Sequence, residues 1–226
     1  MEHLQAELDS LRGELNQMNL LVINQVKKAK KAFLENKPNL VTEIASTEKL
    51  VNAKELQIDS RCETILALFT PVAVDLRFVL SALKININLE RIGDIADGVA
   101  RMVAHSKITF DKELLERVEA DKAFTAAIEM FVCLIESFET ENTTLARSIF
   151  TKDEVIDDIM DKSIIVVEEY AKKHPDNLTQ GIPLLSIMKM LERMGDHLKN
   201  IAEEIIFYAE AKVLKHGGKV DPSVSE

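Results

Sequence analysis

A six-residue motif that occurs twice sets the strongest limit on how this chain can fold. LERIGD at 89–94 returns as LERMGD at 191–196, 102 residues later, with five of the six residues identical. The same spacing carries Leu83 onto Leu185 and Ile85 onto Ile187. Self-similarity at a fixed spacing indicates a duplicated structural unit. We therefore expect two copies of a unit of about 100 residues, a common domain size.

The first copy has the apolar pattern of three long helices. Apolar residues recur at steps of three and four from Leu4 to Phe33, from Leu40 to Phe69 and from Leu76 to Val103. That spacing places them on one face of an α-helix. Pro38 and Pro71 interrupt the pattern between these stretches, where proline ends a helix. The first copy thus predicts an up-down-up bundle.

The second copy repeats this pattern in the stretches 112–138, 142–173 and 181–214. We predict an all-α fold of two tandem three-helix bundles, six long antiparallel helices related by the internal repeat. The first bundle is expected at 1–107 and the second at 108–216. A disordered tail is expected at 217–226, where nothing in the sequence can bury itself.

Charge and composition exclude several classes of partner. The formal net charge is −10 and the isoelectric point is near 5.1, which argues against binding nucleic acid or an anionic membrane surface. No uninterrupted apolar stretch of about 18 residues occurs, so we expect a cytoplasmic protein without membrane insertion. Cys62 and Cys133 fall on apolar helical positions, as free core thiols do.

Pairs of acidic residues spaced four apart recur in both copies. Glu55 and Asp59 map onto Asp157 and Asp161 by the 102-residue spacing. By the same spacing, two further pairs correspond, Glu90 and Asp94 with Glu192 and Asp196. Residues at i and i+4 point the same way on a helix, so each pair stacks two like charges.

These acids border the helix faces that are expected to pack. Leu80, Leu83 and Ile87 form a stripe that continues into Glu90 and Asp94. Burying unpaired negative charge is costly, so a cation is needed. Ligation by oxygen alone suits magnesium, calcium, manganese or iron, and suits zinc or copper less well.

A ladder of salt bridges is the alternative interpretation, because four arginines lie near the acidic pairs: Arg61, Arg77, Arg91 and Arg193. Four pairs at matching places favour metal, more strongly in the second copy than in the first. A di-iron site of the ferritin type needs Glu-x-x-His, which is absent from the sequence. His197 is expected to face solvent or an adjoining helix rather than a metal. No catalytic constellation is found, so we do not expect an enzyme.

Motifs in both copies resemble the PhoU family. ERIGD at 90–94, ERMGD at 192–196 and NIAE at 200–203 match the family's repeat ends. The segment 66–85 matches its link between second and third helices, and the resemblance spans about 4–210. It implies multinuclear clusters of hard metal cations (iron, manganese or magnesium, with zinc fitting less well) on the eight acids above. Asp153 extends the second ladder by one turn and is included.

The first copy departs from the family pattern in two places. Gly98 stands where the second copy has Asn200, and Arg101 stands where it has Glu203. These differences put the composition of the first metal site in doubt.

The resemblance also implies a function and partners. Members of this family restrain the phosphate-starvation response by linking the phosphate ABC transporter ATPase to a sensor histidine kinase, and a homodimer is expected from the family. Two alternatives stay open: a metal-dependent phosphoesterase, and a cytosolic PhoU-like module that serves a sodium-phosphate cotransporter.

Overall fold

The computed structural model describes residues 2–106, 108–215 and 219–220, and most of them are helical. Seven α-helices follow one another in these ranges: α1 (Glu2–Leu34), α2 (Leu40–Phe69), α3 (Ala73–Ser106), α4 (Lys112–Arg117), α5 (Ala120–Thr140), α6 (Thr143–Lys173) and α7 (Gly181–Glu210). A 3-10 helix, Pro175–Gln180, joins α6 to α7. The predicted all-α fold is confirmed.

The first three helices form the first bundle, because each of α1, α2 and α3 packs against the other two. The ends of α1 and α2 have clear local causes. Asn36 adopts a left-handed backbone with φ 49°, and the Lys37 N–H donates to Ala32 O at 2.9 Å. Thr70 also has a left-handed backbone, with φ 48°, and it lies directly before Pro71. The predicted helix limits in this half are therefore close to the observed ones.

The second bundle is formed by α5, α6 and α7, and α4 precedes it as one short extra helix. The prediction of one continuous helix at 112–138 is wrong. Glu119 takes a left-handed backbone with φ 51° between α4 and α5, and the chain changes direction there. Asp111 fixes the start of α4 by accepting from the Glu113 N–H and from the Tyr170 hydroxyl, both at 2.8 Å. The short helix is thus tied to α6.

The last predicted helix, 181–214, is also too long. α7 ends at Glu210, where Ala211 has a left-handed backbone with φ 57°. Leu214–Lys215 then pairs with Lys219–Val220 as two short antiparallel strands, β1 and β2. The predicted disordered tail, 217–226, lies outside the described residues apart from β2, and the boundary at 107 and 108 stays a prediction.

The inner face of α3 differs from the predicted one. Leu80 and Ile87 are 40% and 47% exposed, so the stripe expected to face other helices lies largely at the surface. The buried face is a neighbouring stripe: Val79, Ala82, Ile85, Leu89, Ile92, Ala96 and Val99. Both stripes have helical spacing, and packing in the core selects between them.

The two bundles share one continuous apolar core. α3 packs along α7 and α1 packs against α5, so the buried apolar residues continue from one bundle into the other. Phe33 of α1 lies 5.8 Å from Phe124 of α5 between ring centroids. At one end of the contact, Arg12 stacks over Phe78 at 4.6 Å and pairs with Glu141 at 2.7 Å. Aromatic, apolar and charged contacts thus join the bundles.

Along the ranges the structure describes, no helix combines the length and the apolar character that crossing a membrane requires.

Candidate functional site

The predicted acidic pairs lie where the second and third helices of each bundle meet. In the first bundle, the Asn86 side-chain amide of α3 donates to Asp59 Oδ1 and to Glu55 O of α2, both at 2.9 Å. These bonds set the two helices in register with their acidic pairs facing one groove. The structure therefore brings the two predicted acidic pairs of this bundle close together.

The two acidic pairs of the first bundle lie close enough to raise the pKa values of each other's carboxyl groups. Burial raises the pKa of Glu55, and the charges of Asp59 and Asp94 raise it further. Burial also raises the pKa of Glu90, with additional effects of Asp94 and Glu55, while Arg91 opposes both increases. The four carboxylates therefore repel one another in a groove that is partly shielded from solvent.

Two more acids belong to this groove, and sequence reasoning missed them. Glu48 of α2 is 8% exposed and Asp97 of α3 is 2% exposed. Burial raises the pKa of Glu48 to about 7, although its hydrogen bond with Gln25, at 2.6 Å, opposes the rise, and the charges of Asp94 and Asp97 add to it. Glu48 Oε1 and Asp97 Oδ1 have no hydrogen-bond partner among the described residues. The first acidic cluster is Glu48, Glu55, Asp59, Glu90, Asp94 and Asp97.

The glycine of the repeated motif lets the two helices approach. A β-carbon on Gly93 would lie 3.2 Å from Glu48 Oε2 and 3.3 Å from Val51 Cγ1. A β-carbon on Gly195, the equivalent residue, would collide with Asp153 Oδ1. The glycine at this position therefore has a packing reason, since α2 and α6 place side chains directly against it.

The second acidic cluster contains its own cation. It consists of the five acids that the sequence predicts: Asp153, Asp157, Asp161, Glu192 and Asp196. Lys199 of α7 pairs with Asp153 Oδ2, and its Nζ lies 2.8 Å from Asp196 Oδ1. Burial alone would lower the pKa of Lys199, but the hydrogen bonds to these two carboxylates hold it above its ordinary value. The ammonium group therefore stays charged between them.

Burial differs along the second cluster. Asp153 is 2% exposed, and burial raises its pKa to about 6 against the opposing effect of Lys199. Burial likewise raises the pKa of Asp157. Glu192 pairs with Lys189, and Asp161 lies exposed at the outer end. Asp161 has no equivalent of the Asn86 bond, because Met188 stands at that position of α7.

Of the arginines that the salt-bridge alternative named, Arg91 is a weak counter-cation of the first cluster and Arg61 pairs with other acids. Arg61 pairs with Glu7 and Glu14 of α1, at 2.6 and 2.9 Å. Arg91 approaches Glu90 and Asp94 only at 3.6 and 3.7 Å and is more than half exposed. The strong ion pairs of the second cluster are instead made by lysines. The sequence does contain a signal for Lys199, because this lysine stands where the first copy has Asp97.

His197 lies in the contact between bundles. Its Nδ1 donates to Asn88 Oδ1 of α3 at 2.9 Å, because a carbonyl oxygen can only accept. Asn200 donates to the same oxygen at 3.2 Å. Burial lowers the pKa of His197, so the imidazole is neutral near pH 7. His197 thus faces the adjoining helix, as expected.

Gly98 also lies in this contact, facing the other bundle. The Met190 side chain of α7 lies over Gly98, 3.6 Å from the position of an added β-carbon. The difference between Gly98 and Asn200 therefore concerns how the bundles pack. Arg101 pairs with Asp97 at 2.5 Å, so this second difference from the family pattern does reach the first cluster.

A metal ion places specific demands on these clusters. Within 2–106, 108–215 and 219–220, no three Asp, Glu, His or Cys side chains are arranged to hold a metal ion as they stand. The first cluster fits a hard cation in donor chemistry, because its ligands are oxygens and two buried oxygens lack partners. The second cluster does not fit one equally well, since an ammonium group already lies between Asp153 and Asp196.

Comparison with known proteins gives close matches over most of the chain. The family model described as the PhoU domain matches twice, at residues 15–103 and 120–205, which confirms the duplication. A phosphate-specific transport system accessory protein PhoU homolog from Pseudomonas putida is 29% identical over 224 residues, covering 96% of this chain and 84% of that protein. The accessory protein PhoU of Escherichia coli K12 is 28% identical over 213 residues, covering 94% and 88%.

Solved structures agree with these sequence matches. The crystal structure of PhoU from Pseudomonas aeruginosa has a TM-score of 0.83 and 29% identity, covering 92% of this chain and 99% of that chain. The phosphate transport system regulatory protein PhoU from Streptococcus pneumoniae has a TM-score of 0.81 and 25% identity, covering 94% and 100%. With both repeats matched by the family model, this chain belongs to the PhoU domain family.

Proposed function

We propose that this chain is a metal-binding regulatory adaptor of bacterial phosphate homeostasis. It acts in the cytoplasm, links the phosphate ABC transporter to a sensor histidine kinase and restrains phosphate-starvation signalling. The observation that carries this proposal is the family match over both repeats, together with the names of relatives at 28–29% identity, which are accessory proteins of phosphate-specific transport.

The local chemistry supports a regulatory rather than a catalytic role. His197 donates to an asparagine across the contact between bundles rather than to a nucleophile. Burial raises the pKa of the Cys62 thiol to about 12, which leaves it protonated and unreactive. A helical scaffold with acids in two grooves suits a protein that changes how it binds partners.

The residues that would hold metal in the first groove are Glu55, Asp59, Glu90 and Asp94, with Glu48 and Asp97 at its inner end. A hard cation such as iron, manganese or magnesium would supply the positive charge that these carboxylates lack. The chain's own residues supply the rest: Asn86 orients Asp59, and Gln25 orients Glu48. Such a cation would hold α2 and α3 together and make the surface of the bundle depend on metal supply.

The regulatory role can be tested in a host that lacks its own PhoU-family protein. We expect this chain to repress a phosphate-starvation reporter when phosphate is plentiful, and to co-purify with the transporter ATPase and the sensor kinase. The test variant carries Glu90→Gln and Asp94→Asn in the first cluster. Its matched control is Glu63→Gln, which changes an exposed acid of α2. Failure both to repress and to recover either partner would refute the adaptor role.

Two further measurements separate the alternatives. Turnover of a phosphoester panel with added manganese, magnesium or iron would favour a phosphoesterase instead. Light scattering tests the proposed homodimer, because a monomeric mass across working concentrations would contradict it.

A further inference from the structure

The two acidic clusters differ in the cation that each one already contains. In the second cluster, the Lys199 ammonium group lies between Asp153 and Asp196. Asp153 is 2% exposed, and its Oδ1 has no hydrogen-bond partner in the described part of the chain. A buried carboxylate with one free oxygen needs positive charge nearby, and here the chain provides it.

The equivalent position in the first cluster carries the opposite charge. The 102-residue spacing places Asp97 where the second copy has Lys199. Asp97 is also 2% exposed, and only its Oδ2 is paired, with Arg101 at 2.5 Å. Its Oδ1 and Glu48 Oε1 have no hydrogen-bond partner in the ranges described. This substitution between the repeats thus replaces an ammonium by a carboxylate, and the cation that pairs with that carboxylate is Arg101, which is 58% exposed.

The contacts of Arg91 with the first cluster do not make up for this difference in charge. Its guanidinium lies 3.6 Å from Glu90 and 3.7 Å from Asp94 and is 56% exposed, so solvent screens much of the interaction. Lys199, by contrast, is only 25% exposed and contacts two carboxylates at once. The cations of the first cluster, Arg91 and Arg101, are thus both more than half exposed, whereas Lys199 is a largely buried cation held between two carboxylates of the second cluster.

We propose that Lys199 is the resident cation of the second cluster, so that divalent metal ions bind selectively to the first cluster. A metal ion bound to Asp153 or Asp196 would lie beside a fixed ammonium group, and the two cations would repel. Replacement of Lys199 by a neutral residue opens the second cluster to metal. The part of this inference that places metal at the first cluster rests on the proposed metal-binding function.

Equilibrium dialysis of Mn²⁺ against the full chain, together with thermal unfolding, tests the proposal. Glu90→Gln, Asp94→Asn serves as the background in which the first cluster is disabled. We expect this background to bind Mn²⁺ at least tenfold more weakly than the parent chain. Adding Lys199→Met should restore binding at least tenfold and raise the unfolding midpoint when Mn²⁺ is added. A further Asp153→Asn, Asp196→Asn change should abolish that gain.

Control variants make the result specific. Lys172→Met removes an exposed lysine from the far end of α6 and should restore no binding. Lys199→Gln keeps a donor for Asp153 and replaces Lys199→Met if circular dichroism shows that the methionine variant is unfolded.

Two results would overturn the proposal. One is that the Glu90→Gln, Asp94→Asn background, with Lys199 intact, binds Mn²⁺ as tightly as the parent chain and loses this binding when Glu192→Gln is added. The other is a folded Lys199 variant without any gain in binding. A parent chain that binds no Mn²⁺, with a Lys199 variant that does, would refute the first-cluster site while supporting the role of Lys199.

Discussion

Asp153 Oδ1 occupies the space that a β-carbon on Gly195 would fill. The same relationship holds more loosely in the first bundle, where Gly93 faces Glu48 and Val51 at 3.2–3.3 Å. The glycine of the repeated motif therefore allows a side chain of the preceding helix to lie against the backbone of the following one. In the second bundle that side chain is a buried carboxylate held by Lys199.

Gly195→Ala should destabilise the protein by about 1–3 kcal/mol, since the new methyl group forces Asp153 away from Lys199. Urea unfolding followed by circular dichroism measures the change. Gly13→Ala is the matched control: it lies exposed in α1, and nothing lies within 4 Å of its β-carbon position. This control should stabilise by about 0.5–1 kcal/mol through helix propensity. Equal effects of the two substitutions would show that the Asp153 contact is unimportant.

Glu48 should make the stability depend on pH. Burial raises its pKa in the folded protein to about 7 from 4.5, so the folded state holds the proton more tightly than the unfolded state does. Its contribution to stability is therefore fully present below about pH 4.5 and is lost as pH rises through about 7.

Glu48→Gln should therefore be more stable than the parent chain at pH 8, by about 1–3 kcal/mol, with little difference at pH 4.5. The measurement is urea unfolding in the presence of a chelator at both pH values. Glu63→Gln, an exposed substitution on the same helix, should show no such difference between the two pH values. A Glu48→Gln curve parallel to that of the parent chain would contradict the prediction.

Removal of Arg91 should strengthen metal binding at the first cluster. Its guanidinium pairs with Glu90 and Asp94 at 3.6 and 3.7 Å. Because it is exposed, Arg91→Met should tighten Mn²⁺ binding only by about twofold to fivefold. Equilibrium dialysis measures this, with Arg117→Met as the control because Arg117 pairs with Glu169 elsewhere. Weaker binding after removal of Arg91 would mean that this residue assists the site.

The two thiols should differ in reactivity. Cys62 is fully buried, and burial together with the charge of Asp59 raises its pKa to about 12. Cys133 is only half-buried. Iodoacetamide at pH 8 should therefore label Cys133 much faster than Cys62, as peptide mass spectrometry can measure. In urea both should react, and rapid native labelling of Cys62 would indicate that α2 opens readily.

Most of the fold follows from local sequence signals. The helical spacing of apolar residues, the prolines and the 102-residue repeat predicted two three-helix bundles. The break at Glu119 was missed, because the stretch 112–138 has unbroken apolar spacing and no proline. Tertiary contacts hold the chain on both sides of the break: Asp111 is tied to Tyr170, and Phe124 packs against Phe33.

The sequence by itself determined that acidic pairs lie one turn apart at matching places in both repeats, because that spacing depends only on helix geometry. Tertiary structure alone decided three further features. It placed Val79 and Ala82 of α3 inside and left Leu80 exposed, since adjacent apolar stripes fit a helix equally well. It buried Glu48 and Asp97 in the first groove. It brought Lys199 against Asp153 of α6, because a long flexible side chain can reach a partner on a neighbouring helix that spacing along its own helix does not reveal, whereas its contact with Asp196 is an i,i+3 pair within α7.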